Sequence, residues 1–197
     1  METKTYSPQD FKHLLGMPGM SDALLTNHFT LYEGYVKNVN AIGERAQIIE
    51  PGTPESAELR RRFGWEWNGM RLHELYFGNM RNGELGMKNE ELVTRERREK
   101  LQRLINASFG SLEAWEKDFR TAGAMRGIGW VALVEDKERL FNIWINEHDA
   151  GNLVGTKPLL IMDVFEHAFM LDYGLKRADY IEAFFKAIDW EVVEGRL

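Results

Sequence analysis

Pro158-Leu159-Leu160-Ile161-Met162-Asp163-Val164-Phe165-Glu166-His167-Ala168 joins an apolar run to a carboxylate and an imidazole four residues apart. A continuous apolar run of this length, ended by a charge, reads as a buried strand. An aspartate leaving such a strand and a histidine one helical turn further along the chain can grip one metal ion from two directions. The spacing D-x-x-x-H carries little weight alone, so the reading is built from what flanks it.

Around this stretch the second half of the chain mixes strands and helices. Ser111-Leu112-Glu113-Ala114-Trp115 opens a helix, with Ser111 and Ala114 too poor a pair for a full capping box. Gly127-Ile128-Gly129 introduces a strand over Trp130–Val134. Glu135-Asp136-Lys137-Glu138 reads as a turn, and Leu140–Ile145 as a second strand. Pro158–Val164 is the third, and a helix over Lys176–Ile188 closes the chain.

The first half reads helical. Ser21 caps a helix whose Leu24, Leu25, His28, Leu31, Tyr32, Tyr35, Val36 and Val39 recur at three- and four-residue steps and form one face. Pro51-Gly52-Thr53-Pro54 breaks the chain. A second helix starts near Pro54-Glu55-Ser56-Ala57 and runs towards Met80, weakened locally by Gly64 and Gly69. Lys88–Ile105, charged from Arg95 through Lys100, reads as a solvated helix or a connection between layers. The expected fold is α+β: an N-terminal antiparallel helical hairpin, then a C-terminal α/β layer with a three-stranded antiparallel sheet. Two domains are expected, residues 1–90 and residues 91–197.

At 197 residues the chain can bury a substantial core, and its 44% apolar content argues for a folded globular protein. Lys and Arg number 25 against 31 Asp and Glu, and the net charge of -6 speaks against a nucleic-acid partner. There is no cysteine, which rules out disulfides, thiolate zinc sites and cysteine-held iron–sulfur clusters. Any metal is therefore held mainly by nitrogen and oxygen. Met1 to Pro8 lacks the apolar core of a signal peptide, and no apolar run is long enough to span a bilayer. The expectation is a cytoplasmic protein with no nucleic-acid and no membrane partner.

Beyond Ala168 come Leu171-Asp172-Tyr173, then Arg177-Ala178-Asp179-Tyr180-Ile181-Glu182-Ala183-Phe184, then Asp189-Trp190. With Asp163-Val164-Phe165-Glu166-His167-Ala168 these resemble the C-terminal metal motif of the iron/manganese superoxide dismutases, D-V-W-E-H-A-Y followed by L-D-Y and R-A-D-Y-I-E-A-F-W. Asn27-His28-Phe29-Thr30-Leu31-Tyr32-Glu33-Gly34-Tyr35-Val36-Lys37-Asn38-Val39-Asn40 resembles that family's first ligand helix, H-H-x-x-H-H-x-x-Y-V-x-N-x-N. Trp67-Asn68-Gly69-Met70-Arg71-Leu72-His73-Glu74-Leu75-Tyr76-Phe77 resembles its second, F-N-x-A-x-[QG]-x-x-N-H-x-F-[YF]-W. Phe109-Gly110-Ser111 and Gly127-Ile128-Gly129-Trp130 are similar to its F-G-S and G-S-G-W segments, so the resemblance spans about residues 18 to 190.

The resemblance implies a ligand set. Aligning Tyr35-Val36 with the family's Y-V puts the first ligand on Asn27, and the adjacent His28 is the better ligand. A local bulge or a one-residue slip would take up the difference. The implied metal ligands are His28, His73, Asp163 and His167, which suit one Fe or Mn ion per chain. His148 falls where the manganese members carry a glutamine that hydrogen-bonds the metal-bound solvent, while Gly69 stands where iron members supply theirs. Tyr35, or else Tyr32, is the implied gateway phenol, with a catalytic role beside His148. Trp130 and Phe165 wall the pocket, Phe165 in the place of a Trp. Glu166 matches the glutamate that pairs with the ligand histidine of a partner subunit, and Met170 replaces a tyrosine at the dimer mouth. Arg177 would steer the substrate anion. His13 lies outside every motif and reads as structural or exposed.

The implied activity is superoxide dismutation, with superoxide anion as partner and the metal alternating between trivalent and divalent states. One superoxide is oxidised to dioxygen and a second reduced to hydrogen peroxide. Three neutral imidazoles, one carboxylate and one hydroxide leave the trivalent centre with one net positive charge. Reduction coupled to protonation of the hydroxide keeps that charge constant, which avoids the cost of changing a buried charge. The implied assembly is a homodimer or dimer of dimers. The departures in the first helix, at Phe165 and at Met170 leave a second expectation open: a catalytically altered metal-binding homologue serving as an assembly component or with other redox chemistry.

Overall fold

Two long helices build the first half of the computed structural model, which describes residues 5–83 and 91–197. Met1–Lys4 and Lys88–Glu90, the expected start of the charged helix, lie outside the described residues. Helix α1 (Asp22–Ile48) begins at Ser21, whose hydroxyl oxygen accepts from the Leu24 N–H at 3.1 Å and satisfies one free donor of the first turn. Leu24, Leu25, His28, Tyr32, Val36 and Val39 form its buried face. Leu31, expected on that face, is exposed, because it lies at the rim of the stripe. There is no bulge near His28, since α1 is α-helical throughout. Seven residues make two helical turns, so His28 and Tyr35 share a face without one.

Helix α2 (Pro54–Gly78) starts with Thr53 accepting from the Ser56 N–H at 3.2 Å and with Pro54 in the first turn. It runs unbroken through Gly64 and Gly69 and packs back along α1 as an antiparallel hairpin.

The second half opens with α3 (Glu91–Phe109) and α4 (Leu112–Ala124). Strands β1 (Gly129–Asp136), β2 (Arg139–Asn146) and β3 (Lys157–Asp163) follow, then α5 (Met170–Tyr173), α6 (Arg177–Ala187) and α7 (Trp190–Gly195). The sheet order is β2-β1-β3 and both pairings are antiparallel. Strand β1 is central, and its Trp130–Val134 segment is buried, as a continuous apolar run requires. Helix α4 packs on β1 and β2, and α2 packs on β3. The register sets Trp130 opposite Asp163 on one side and Ile145 on the other.

Two boundaries differ from those expected. Glu135 and Asp136 belong to β1, and the turn is Lys137-Glu138 alone, with φ of 46° and 66°. A two-residue turn with both φ positive matches the twist of its strands, so pairing continues to Asp136 and Arg139. The helix expected to close the chain is followed by α7, whose N-terminus Asp189 caps by accepting from the Glu191 N–H at 3.1 Å.

A polar clasp ties α2 to β3. Asn79 Oδ1, just past α2, accepts from the Ile161 N–H at 2.9 Å. The half-buried Arg196 guanidinium donates to the Leu159 carbonyl at 2.7 Å, the Leu75 carbonyl at 3.0 Å and Asn79 Oδ1 at 3.3 Å. Burial pushes this guanidinium down to about 10. Among the described residues no helix is long and apolar enough to cross a membrane.

Candidate metal centre

Four elements converge on one buried point. His28 from α1, His73 from α2, Asp163 at the end of β3 and His167 in the 3-10 turn Glu166–Ala168 offer one atom each, all within 4.8 Å of one another. His28 Nε2 and His167 Nε2 each lie 3.2 Å from Asp163 Oδ2, and His73 Nε2 lies 3.7 Å from the same oxygen. The Phe165 N–H takes Asp163 Oδ1 at 2.8 Å and so leaves Oδ2 to the histidines. From behind, the Tyr180 hydroxyl donates to the Asp163 carbonyl at 2.7 Å and lies 3.1 Å from the Tyr76 hydroxyl. Asn27, one residue earlier on α1, is exposed.

The placement of hydrogens in this cluster calls for a cation. His73 Nδ1 lies 2.6 Å from the Gly69 carbonyl, which can only accept, so Nδ1 carries the ring hydrogen. Burial, then the neighbouring His28, pushes His73 well below its ordinary value and keeps the ring neutral. Its Nε2 is therefore a bare lone pair aimed at a carboxylate oxygen, buried and, among the described residues, without a hydrogen-bond partner. Burial lowers His28 as well, and its Nδ1 also lacks a partner among the described residues. Burial alone would raise Asp163, but the charge of His167 and hydrogen bonds from His167 and His28 outweigh it and hold the carboxyl well below the usual range. His167 moves the other way: burial opposes its charged form, and Asp163 more than compensates. Lone pairs facing a buried anion are costly. A positive ion bound by all four atoms removes that cost, and a donor set of nitrogen and oxygen fits iron or manganese.

Beside the cluster, His148 is fully buried among aromatic rings. The indole Nε1 of Trp130, a donor only, points at His148 Nδ1 at 3.1 Å. Nδ1 is thus the acceptor, and Nε2–H donates to the Tyr35 hydroxyl oxygen at 2.7 Å. Burial pushes this imidazole down to about 4, so it is neutral near pH 7. Burial, then Asp163, raises the Tyr35 phenol well above its ordinary value, so it keeps its hydrogen. The Tyr35 O–H is the free donor of the set. A neutral imidazole has one N–H and one lone pair, and both are engaged. In this geometry the His148 Nε2–H, expected to face metal-bound solvent, is given to Tyr35. Tyr32, the other phenol considered, is committed elsewhere: it accepts from the Gln9 N–H at 2.9 Å and donates to Glu74 Oε1 at 3.0 Å. Gly69 makes the room for Tyr35, since a Cβ there would lie 2.5 Å from the phenol ring.

Residues 97–196 match the family described as iron/manganese superoxide dismutases, C-terminal domain. Over 184 residues the chain is 37% identical to the manganese superoxide dismutase 2 of Haloferax volcanii, covering 91% of this chain and 87% of that protein. Over 200 residues it is 34% identical to the iron superoxide dismutase of Aquifex pyrophilus, covering 96% of this chain and 89% of that protein. The chain belongs to the iron/manganese superoxide dismutase family.

In this dismutase fold, Trp130 stands edge-on to His73 at 4.8 Å, and Phe165 stacks on both His148 and His167 at 5.0 and 5.1 Å. Glu166 is exposed, and it shares a surface hollow with Phe169, Met170 and Arg177. Arg177 donates to the Met125 carbonyl at 2.8 Å and the Gly127 carbonyl at 3.0 Å, so its charge rests on main-chain oxygens. His13 is exposed. One residue that no motif marks also touches the site: the Trp65 ring lies 4.5 Å from His148 and 5.6 Å from Tyr35. Its sequence signal is the four-residue step Trp65, Gly69, His73 along one face of α2.

Proposed function

We propose that this chain disproportionates superoxide to dioxygen and hydrogen peroxide at one iron or manganese ion that His28, His73, Asp163 and His167 would hold. The observation that carries this reading is the bare, buried Nε2 of His73 aimed at Asp163 Oδ2. The bound ion would supply one-electron oxidation and reduction between its trivalent and divalent states. The chain's own side chains do the rest. Each peroxide released takes up two protons, and Tyr35 holds a hydrogen on its hydroxyl oxygen beside the site. Its raised pKa means that it offers a hydrogen bond rather than an anion. His148, fixed by Trp130 as the Nε2–H tautomer, orients that phenol. Trp130 and Phe165 wall the donors off from water. Arg177, paired with carbonyl oxygens, gives the anion a positive charge to approach on a chain of net charge -6.

The origin of the ligands supports a division at residues 1–90 and 91–197 with the site between: His28 and His73 come from the first part, Asp163 and His167 from the second. Glu166 lies among exposed apolar side chains, Met170 at 42% and Leu175 at 91%, which supports a homodimer or dimer of dimers through this face.

Elemental analysis and superoxide decay on the same sample test the function. The expected result is about one iron or manganese per chain together with fast decay. Stoichiometric metal without decay would overturn the dismutase reading and leave a metal-binding homologue.

A further inference from the structure

Trp65 has no part in the four-ligand cluster, yet it stands between solvent and His148. Its half-buried indole meets the His148 ring in a T-shaped contact at 4.5 Å and flanks the Tyr35 ring at 5.6 Å. Two tethers hold it. Its Nε1 donates to Glu147 Oε2 at 3.1 Å. The Arg62 guanidinium lies 4.2 Å from the ring centre and is itself fixed by Glu66 at 2.7 Å. Glu66 is a buried carboxylate that also accepts from Asn38 of α1, so the tether is anchored in both long helices.

The loop that carries His148 is shaped to match. Glu147 sits at φ 48°, a region that non-glycine residues seldom adopt. Adjacent side chains there part company: Glu147 reaches out to Trp65, and His148 turns in to Trp130 and Tyr35. His148 is wholly buried although Glu147 and Asp149 on either side are exposed. Tyr35, Trp130 and Phe165 close its other sides.

We propose that Trp65 is a positioning residue for His148: held by Glu147 and Arg62, it closes the solvent side of the Tyr35–His148 hydrogen bond. A hydrogen bond between neutral groups gains little when water can compete for either partner, and more when water is kept out. The consequence for catalysis rests on the dismutase function, whereas the shielding is a property of the metal-free chain and is tested there.

Diethyl pyrocarbonate, which acylates unprotonated imidazoles, is applied to the metal-free full-length chain, and modified histidines are located by peptide mass mapping. In the unaltered protein exposed His13 reacts and His148 does not. In Trp65→Ala, His148 is expected to react at a rate approaching that of His13 while buried His28 and His73 stay protected. Trp65→Phe, which keeps a ring without an N–H, is expected to restore most of the protection. His148 protected in Trp65→Ala, or reactive in the unaltered protein, would overturn the proposal. If Trp65→Ala unfolds, seen as reaction at His28 and His73, the double variant Arg62→Ala, Glu147→Ala decides instead. It removes both tethers from the outside, and unchanged protection of His148 there counts against the shield. In metal-loaded protein, Trp65→Ala is expected to change the pH profile of superoxide decay at unchanged metal content, with Trp65→Phe restoring it. His148 newly exposed with an unchanged pH profile upholds the shield and counts against a role for His148 in orienting Tyr35.

Discussion

Asn27 and His28 differ by about 100° around α1, and that rotation decides which of them reaches Asp163. His28 is buried with Nε2 3.2 Å from Asp163 Oδ2, and Asn27 is exposed. His28→Ala is expected to lose stoichiometric metal and Asn27→Ala to keep it, as read by elemental analysis. The reverse would mean that the gapless alignment of the first helix holds. Gly69 makes a second single-residue case. A Cβ there would press on the Tyr35 ring at 2.5 Å. Overpacking of this kind costs about 1–3 kcal/mol. Gly69→Ala is therefore expected to lower the unfolding free energy by that amount, seen as a lower denaturant midpoint, and to slow superoxide decay by displacing Tyr35 from His148. A variant as stable and as fast as the parent would show that the ring relaxes freely. Helical periodicity alone puts His28 and Tyr35 on one face. The hydrogen on each imidazole was not legible in the same way, because Trp130, 18 residues from His148, fixes one tautomer.

Caps and periodicity made the two long helices readable, and they failed where pairing overrides composition. Glu135 and Asp136 look like turn residues, yet they pair with Leu140 and Arg139 because the turn between them needs only Lys137 and Glu138. Both turn residues have positive φ without being glycine. Left-handed backbone costs roughly 1–2 kcal/mol for such residues, and Asn-Gly relieves most of it. Replacing Lys137-Glu138 by Asn-Gly is thus expected to stabilise the protein by about 1 kcal/mol, measured as a rise in denaturant midpoint. No rise would mean that the exposed side chains of the turn contribute as much as its backbone loses. Helix α7 escaped the reading because it is short and is held by distant partners: Arg196 binds Asn79 and the Leu75 carbonyl of α2.

The response of the whole molecule to pH is set by its buried imidazoles. An unfolded histidine titrates near about 6.5. Folding lowers His28, His73 and His148 by burial and raises His167 through Asp163. As pH falls through about 6.5 the three lowered groups bind protons more readily in the unfolded chain, so each withdraws stability. His167, raised on folding, is the one group of the four that adds stability over the same range. Asp163, held low, keeps its contribution until pH falls below the unfolded carboxylate value of about 3.9. The metal-free protein is expected to lose stability between about pH 7 and about pH 5 in chemical denaturation. The metal-loaded protein is expected to fall more steeply, because protons compete with the ion for its ligands. A metal-free protein equally stable at both values would contradict the buried neutral imidazoles. The sequence by itself determined the supply of chemistry: no cysteine, an aspartate ending an apolar strand, histidines on helix faces, and caps that start the helices. Only the tertiary structure decided that three Nε2 atoms meet one oxygen of Asp163, that the charge of Arg177 rests on carbonyls, and that Trp65 covers His148. The reason is range: periodicity and capping act within a few residues, whereas His28 meets Asp163 across 135 residues and Trp65 meets Glu147 across 82, distances that only the packing of layers closes.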